Sequence, residues 1–111
     1  MEELTDRNSY IKATNTDGIC VLEATAPWCT QCKAIAPFVE KMSKKYPAVR
    51  FYTYNTDIAD DIAQELGANQ MPTFHLFKDG ELMGGVTGAK ASALENMIKE
   101  NYDGEVVENI D

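Results

Sequence analysis

The stretch that decides the fold is Gly18-Ile19-Cys20-Val21-Leu22-Glu23-Ala24-Thr25, continued by Ala26-Pro27-Trp28-Cys29-Thr30-Gln31-Cys32-Lys33. Its first eight residues are a nearly continuous apolar run of strand length, the pattern of a strand covered on both faces. Directly after it, Ile35, Phe38, Val39 and Met42 recur at i, i+3, i+4 and i+7. That spacing is one face of a helix from about Thr30 to Tyr46, closed by Pro47. Pro37 lies inside and is expected to kink it. A buried strand therefore hands over to an amphipathic helix, with two cysteines three residues apart at the junction.

Outward from this unit, elements alternate. A weakly marked helix near Asn8 to Thr14 precedes it. After it, Val49 to Asn55 reads as a second strand carrying Phe51, Tyr52 and Tyr54. Asp57 is placed to cap a helix in which Ile58, Ile62, Ala63 and Leu66 share a face and Gly67 supplies the stop. Two further strands, Thr73 to Phe77 and Glu81 to Val86, flank Lys78-Asp79-Gly80. An Asp-Gly turn between alternating segments makes this pair an antiparallel hairpin. A last helix, near Ala89 to Tyr102, turns Leu94, Met97 and Ile98 inward. The order β-α-β-α-β-β-α predicts an α/β fold with a central mixed sheet flanked by helices on both faces.

The junction carries the chemistry. Unpaired amides and the positive dipole end of a helix N-terminus stabilise an anion, so the Cys29 thiol should ionise below its ordinary value of about 8.5. Cys32, one turn further in, is expected to be more buried and more neutral. Such a pair suits dithiol exchange, with Cys29 attacking a target disulfide and Cys32 releasing the reduced target. Two other readings compete: half of a zinc site, for which only Cys20 and His75 remain as further ligands, and an inert pair of core cysteines. Cys20 reads as a small core residue.

Composition excludes other classes. The 111 residues, 44% apolar, suit one domain with one core. Three cysteines are too few for a disulfide scaffold, and an odd count fits a reducing compartment. Ten basic against 18 acidic residues give a net charge of −8, the wrong sign for binding nucleic acid or an anionic membrane. No apolar run is long enough to span a bilayer, and the start Met1-Glu2-Glu3-Leu4-Thr5-Asp6 is unlike a signal peptide, which leads to an expected cytoplasmic location. Five acids and no base lie between Glu100 and Asp111. We therefore divide the chain into a domain, 1–102, and an acidic tail, 103–111. By contrast Lys33, Lys41, Lys44, Lys45 and Arg50 face only Glu40, a basic second helix beside the cysteines.

Taken together, Ala26-Pro27-Trp28-Cys29, Cys32-Lys33, Pro37, Met71-Pro72-Thr73, Phe77-Lys78-Asp79-Gly80-Glu81 and Gly88-Ala89 resemble the thioredoxin family over nearly the whole chain. Met71 before Pro72 resembles the cytosolic eukaryotic members. The resemblance implies the thioredoxin fold and a protein dithiol–disulfide oxidoreductase that reduces target proteins through Cys29 and Cys32. It implies a cis proline at Pro72 packed beside the Cys29 sulfur, leaving the Met71 amide and carbonyl to pair with an extended target. Trp28, Met71 and the Thr87-Gly88-Ala89 turn would complete a shallow apolar groove. Glu23, buried in its strand, stands where the family carries an Asp that helps deprotonate the second cysteine; the alternative is a strand-edge carboxylate that reaches solvent. The resemblance further implies a monomer with no bound cofactor or metal, recharged from NADPH by a thioredoxin reductase, whose partners are that reductase and disulfide-containing proteins.

The family pattern breaks at Thr30-Gln31, which stands where Gly-Pro is usual. Losing the proline restores an N–H near the thiols and predicts a more oxidising couple. The basic residue that bacterial members pair with the buried acid falls near Thr53, and Ala24-Thr25 replace bulkier residues. Competing functions are a disulfide oxidase or isomerase, disfavoured by the lack of a His between the cysteines, a glutaredoxin, and a non-catalytic binding module, which would need neither cysteine.

Overall fold

The computed structural model describes residues 1–108. Among these, five strands and four helices alternate: β1 (Glu2–Leu4), α1 (Arg7–Thr14), β2 (Ile19–Thr25), α2 (Thr30–Lys45), β3 (Val49–Asn55), α3 (Asp60–Leu66), β4 (Thr73–Lys78), β5 (Glu81–Thr87) and α4 (Ala91–Asn101). The strands form one mixed sheet in the order β1-β3-β2-β4-β5. β1, β3 and β2 are parallel, whereas β4 runs antiparallel to β2 and to β5.

β2 is the central strand, and its apolar run is explained by burial on both faces. Ile19 and Val21 pack with Ile35, Val39 and Met42 of α2 and with Leu94 and Ile98 of α4. Cys20, Leu22 and Ala24 point the other way, into a second core with Tyr10 of α1 and Ile62 of α3. Successive side chains of a strand alternate between faces, so Glu23 falls on the α2 side, in line with Ile19 and Val21. α2 continues across Pro37 to Lys45.

The hairpin follows the sequence signal. Asp79 (φ 52°) and Gly80 (φ 86°) are both left-handed, as a two-residue type I′ turn requires. The Asp79 Oδ1 accepts from the Gly18 amide at 2.7 Å while the Asp79 amide donates to the Gly18 carbonyl at 2.9 Å, pinning the turn to the start of β2.

Three expectations need correction. The chain opens with β1, which periodicity did not predict; three residues with two acids carry no strand pattern, and only pairing with β3 through Glu2↔Tyr52 to Leu4↔Tyr54 makes them one. α3 begins at Asp60, so Asp57 does not cap it. The Asn55 side chain accepts from the Asp57 amide at 2.9 Å, and the Asn55 carbonyl accepts from the Ile58 and Ala59 amides at 3.0 and 2.7 Å. That turn consumes residues 55–59 and leaves Ile58 63% exposed, off the buried face assigned to it. The basic character of α2 is also reduced. Lys45 pairs with Glu95 at 2.7 Å and Lys44 with Glu40 at 3.6 Å. Arg50 caps the C-terminal end of α1 by donating to the carbonyls of Ala13, Thr16 and Asp17 at 2.9 to 3.2 Å. Lys33 and Lys41 remain exposed.

The end of the described chain folds back on α2. The Val107 amide donates to the Lys45 carbonyl at 2.8 Å, Tyr102 stacks edge-to-face on Tyr46 at 5.2 Å, and the Tyr102 hydroxyl donates to the Glu105 carbonyl. The last acid of the expected tail, Asp111, lies outside the described residues.

Candidate functional site

Cys29 is the N-cap of α2, extended at φ −82° and ψ 102°, and its sulfur accepts from the Cys32 amide at 3.1 Å. It is joined to Cys32 in a disulfide with Cα atoms 5.3 Å apart. The first turn of α2 carries no acid, so nothing there offsets the positive end of the helix dipole. The two sulfurs differ less in burial than the sequence predicts. Cys29 is 5% and Cys32 6% exposed, and both pack with Ala26 and Met71.

Glu23 lies one residue further along β2 than Leu22 and is 6% exposed. Its neighbours in the sheet are Thr53 on β3 and Phe74 on β4, which rules out a strand-edge position. Burial alone pushes its carboxyl up to about 7. Among the described residues it makes no ion pair. Glu23 and Cys32 line one cavity of about 290 Å³, with Lys33 and Thr53 on its walls and Met1 at its edge. The acid thus shares a cavity with the second cysteine.

The rim is built from three loops. The Met71-Pro72 bond is cis. Met71 packs against Ala26, Cys29 and Cys32, and its sulfur takes the Thr56 hydroxyl at 3.7 Å. Among the described residues, the amide and carbonyl of Met71 make no main-chain hydrogen bond. The Pro72 carbonyl accepts from the Gly88 amide at 2.7 Å, which brings the Thr87-Gly88-Ala89 turn to the proline. Gly88 has φ 96°, a conformation that a side chain would strain. Trp28 is 63% exposed, and its indole N–H donates to the Asp57 carboxylate at 3.1 Å. Sequence reasoning assigned Asp57 to a helix cap and missed this partnership. Two residues separated by 28 others give no local signal of contact.

Among the described residues no cluster of His, Cys, Asp and Glu could hold a metal ion. Cys20 and His75, the conceivable further zinc ligands, lie apart from the disulfide. Cys20 is fully buried in the core shared by α1 and α3, where burial pushes its thiol up to about 11. Burial likewise pushes His75 down, and its Nδ1 has no hydrogen-bond partner.

The sequence model of the family described as Thioredoxin matches residues 1–100. Thioredoxin-1 of Saccharomyces cerevisiae is 37% identical over 94 residues, covering 85% of this chain and 91% of its own. The thioredoxin of Coprinus comatus is 33% identical over 103 residues, covering 91% and 97%. The oxidised crystal structure of mitochondrial thioredoxin 3 from Saccharomyces cerevisiae superposes with a TM-score of 0.88 at 37% identity, covering 90% of this chain and 94% of that one.

Proposed function

The chain belongs to the thioredoxin family and is a dithiol–disulfide oxidoreductase that reduces protein disulfides; from that premise we propose how its residues divide the reaction. Cys29 is the nucleophile. Its thiolate attacks one sulfur of a target disulfide, forming a Cys29–target bond and expelling the target's other thiolate. Cys32 then loses its proton and attacks the Cys29 sulfur, which forms the Cys29–Cys32 disulfide and releases the second target thiolate. Two electrons pass to the target. The observation that carries this assignment is the N-cap position of Cys29, whose sulfur already accepts the Cys32 amide.

Glu23 takes the Cys32 proton through water in the cavity they share. A carboxyl lifted to about 7 is split between its two forms near neutral pH, so it both accepts a proton and returns it. Targets bind in extended form across Trp28, Met71, cis Pro72 and the Thr87-Gly88-Ala89 turn, pairing with the main chain of Met71. Electrons return from NADPH through a thioredoxin reductase, with no cofactor held by this chain. The protein acts as a monomer in the cytoplasm, a setting that suits the free Cys20 thiol; one relative is named mitochondrial. Residues 1–102 form the catalytic domain and 103–111 its acidic tail.

Insulin reduction tests the assignment, first with dithiothreitol and then with NADPH and reductase. We expect wild-type activity and its loss in Cys29→Ser, while Cys32→Ser traps mixed disulfides with targets. Activity that survives Cys29→Ser would refute the site, and an inactive wild type would favour a binding module. The atypical Thr30-Gln31 pair gives a second test. Gln31 is the second residue of α2 and restores a main-chain N–H that proline lacks, one residue before the Cys32 amide that the N-cap sulfur accepts. This added donor near the sulfurs favours the Cys29 thiolate and so the reduced state. The couple should be more oxidising than about −270 mV, a typical thioredoxin value. Titration against glutathione that gives a value at or below it would overturn this expectation.

A further inference from the structure

A second concavity adjoins the rim on the side away from Glu23. Its volume is about 400 Å³, and it runs between α3 and the loop before Pro72. Met71 lines it and also packs against Cys29 and Cys32, so one side chain links the concavity to the disulfide. Ala63, Gly67, Ala68 and Met71 line it with small or apolar surface, and Thr56, Asp60, Gln64 and Asn69 add polar groups.

Among the described residues, Asp60 is the one charged group that lines it. The other two acids of its segment are engaged: Asp57 holds the Trp28 indole at 3.1 Å, and Asp61 accepts from the Arg7 and Ile62 amides at 3.1 and 2.9 Å. Arg7, whose amide meets the neighbouring Asp61, directs its guanidinium to Glu65 at 2.8 Å. Among the described residues, Asp60 has no hydrogen-bond or ion-pair partner and is exposed. A concavity with apolar surface on Ala63, Ala68 and Met71 and a single open carboxylate among its lining groups is complementary to a side chain with an apolar stem and a cationic head.

We propose that this concavity is a specificity pocket for a Lys or Arg of the target, a few residues from the cysteine under attack, with the stem on Ala63, Ala68 and Met71 and the charge on Asp60. The proposal rests on the reductase reading of Cys29. It gives the turn at residues 55–59 a role beyond Trp28: α3 starts after it at Asp60, whose carboxylate lines the concavity.

The test uses a set of disulfide-linked peptides that carry one Arg at each position from two to five residues on either side of the cysteine, each matched by a peptide with Gln there. At one or more positions, wild-type kcat/KM should favour Arg by about threefold to fivefold, the size that an exposed ion pair supplies. The preference should shrink at high salt. Asp60→Asn should bring the ratio to one, and Asp60→Lys should invert it, so that the Gln peptides are favoured over the Arg ones. Equal rates for Arg and Gln at every position, or a preference that persists in Asp60→Asn, would overturn the proposal. Failure of the reductase reading would look different, since the wild type would then reduce neither peptide.

Discussion

Two carboxylates stand at opposite ends of α2 and are treated in opposite ways. At the C-terminal end, Glu95 accepts from the Lys45 ammonium and from the Tyr46 hydroxyl, each at 2.7 Å. These donors, the Lys45 bond foremost, hold its carboxyl below the usual range. At the N-terminal end, Glu23 is more deeply buried, has no ion-pair partner among the described residues, and is raised to about 7 by burial. A carboxylate that only stabilises a fold is given donors. One that is left bare costs stability in its charged form and is useful where a proton must move near neutral pH.

The largest expected effect breaks this contrast at Glu23. Its folded value lies above its unfolded value of about 4.5, so its contribution is fully favourable below pH 4.5 and is lost as the pH rises through 7. Glu23→Gln removes the charged form. The variant should equal the wild type near pH 4 and exceed it by up to about 3 kcal/mol at pH 8.5 in urea unfolding. Its release of trapped mixed disulfides should slow at the same time. A stability gain that does not depend on pH would contradict the assignment.

The opposite sign is expected at the other end. Glu95 is lowered when folded, so its contribution is present above its unfolded value of about 4.5 and fades as pH falls through the lower folded value. Glu95→Gln should lose about 1–2 kcal/mol at pH 7, with the difference narrowing on acidification, and should leave disulfide exchange intact. The smallest effect concerns the strap over the same end of α2. Truncation after Asp103 removes the Val107 amide from the Lys45 carbonyl and exposes a helix end that water then satisfies. We expect a loss below about 1 kcal/mol by thermal unfolding; a larger one would show that the tail belongs to the domain.

The same contrast separates what could be read along the chain from what could not. The β2–α2 unit, the hairpin at Asp79-Gly80 and the N-cap position of Cys29 are local, and each follows from periodicity or turn chemistry within a dozen residues. Glu23 was conspicuous in an apolar run, but neighbouring residues do not say whether such an acid is paired, as Glu95 is, or bare. β1 was invisible because its strand character comes from a partner about 50 residues away. Asp57 and Ile58 were misassigned because helical spacing alone places them in α3, whereas the Asn55 side chain and carbonyl stop the helix from starting there. The basic face of α2 looked continuous until Glu95 claimed Lys45 and the end of α1 drew in Arg50.

By itself the sequence determined the order of most elements, the mixed sheet and the redox pair, because hydrophobic period, glycine-dependent turns and helix capping act over a few residues. Only the tertiary structure decided which groups share a space. Glu23 with Cys32, Trp28 with Asp57, Pro72 with Gly88 and Asp60 beside Met71 are each joined by the packing of separate elements and loops, which local spacing does not encode. Desolvation, which raises Glu23, depends on everything packed around a group and so has no local signature.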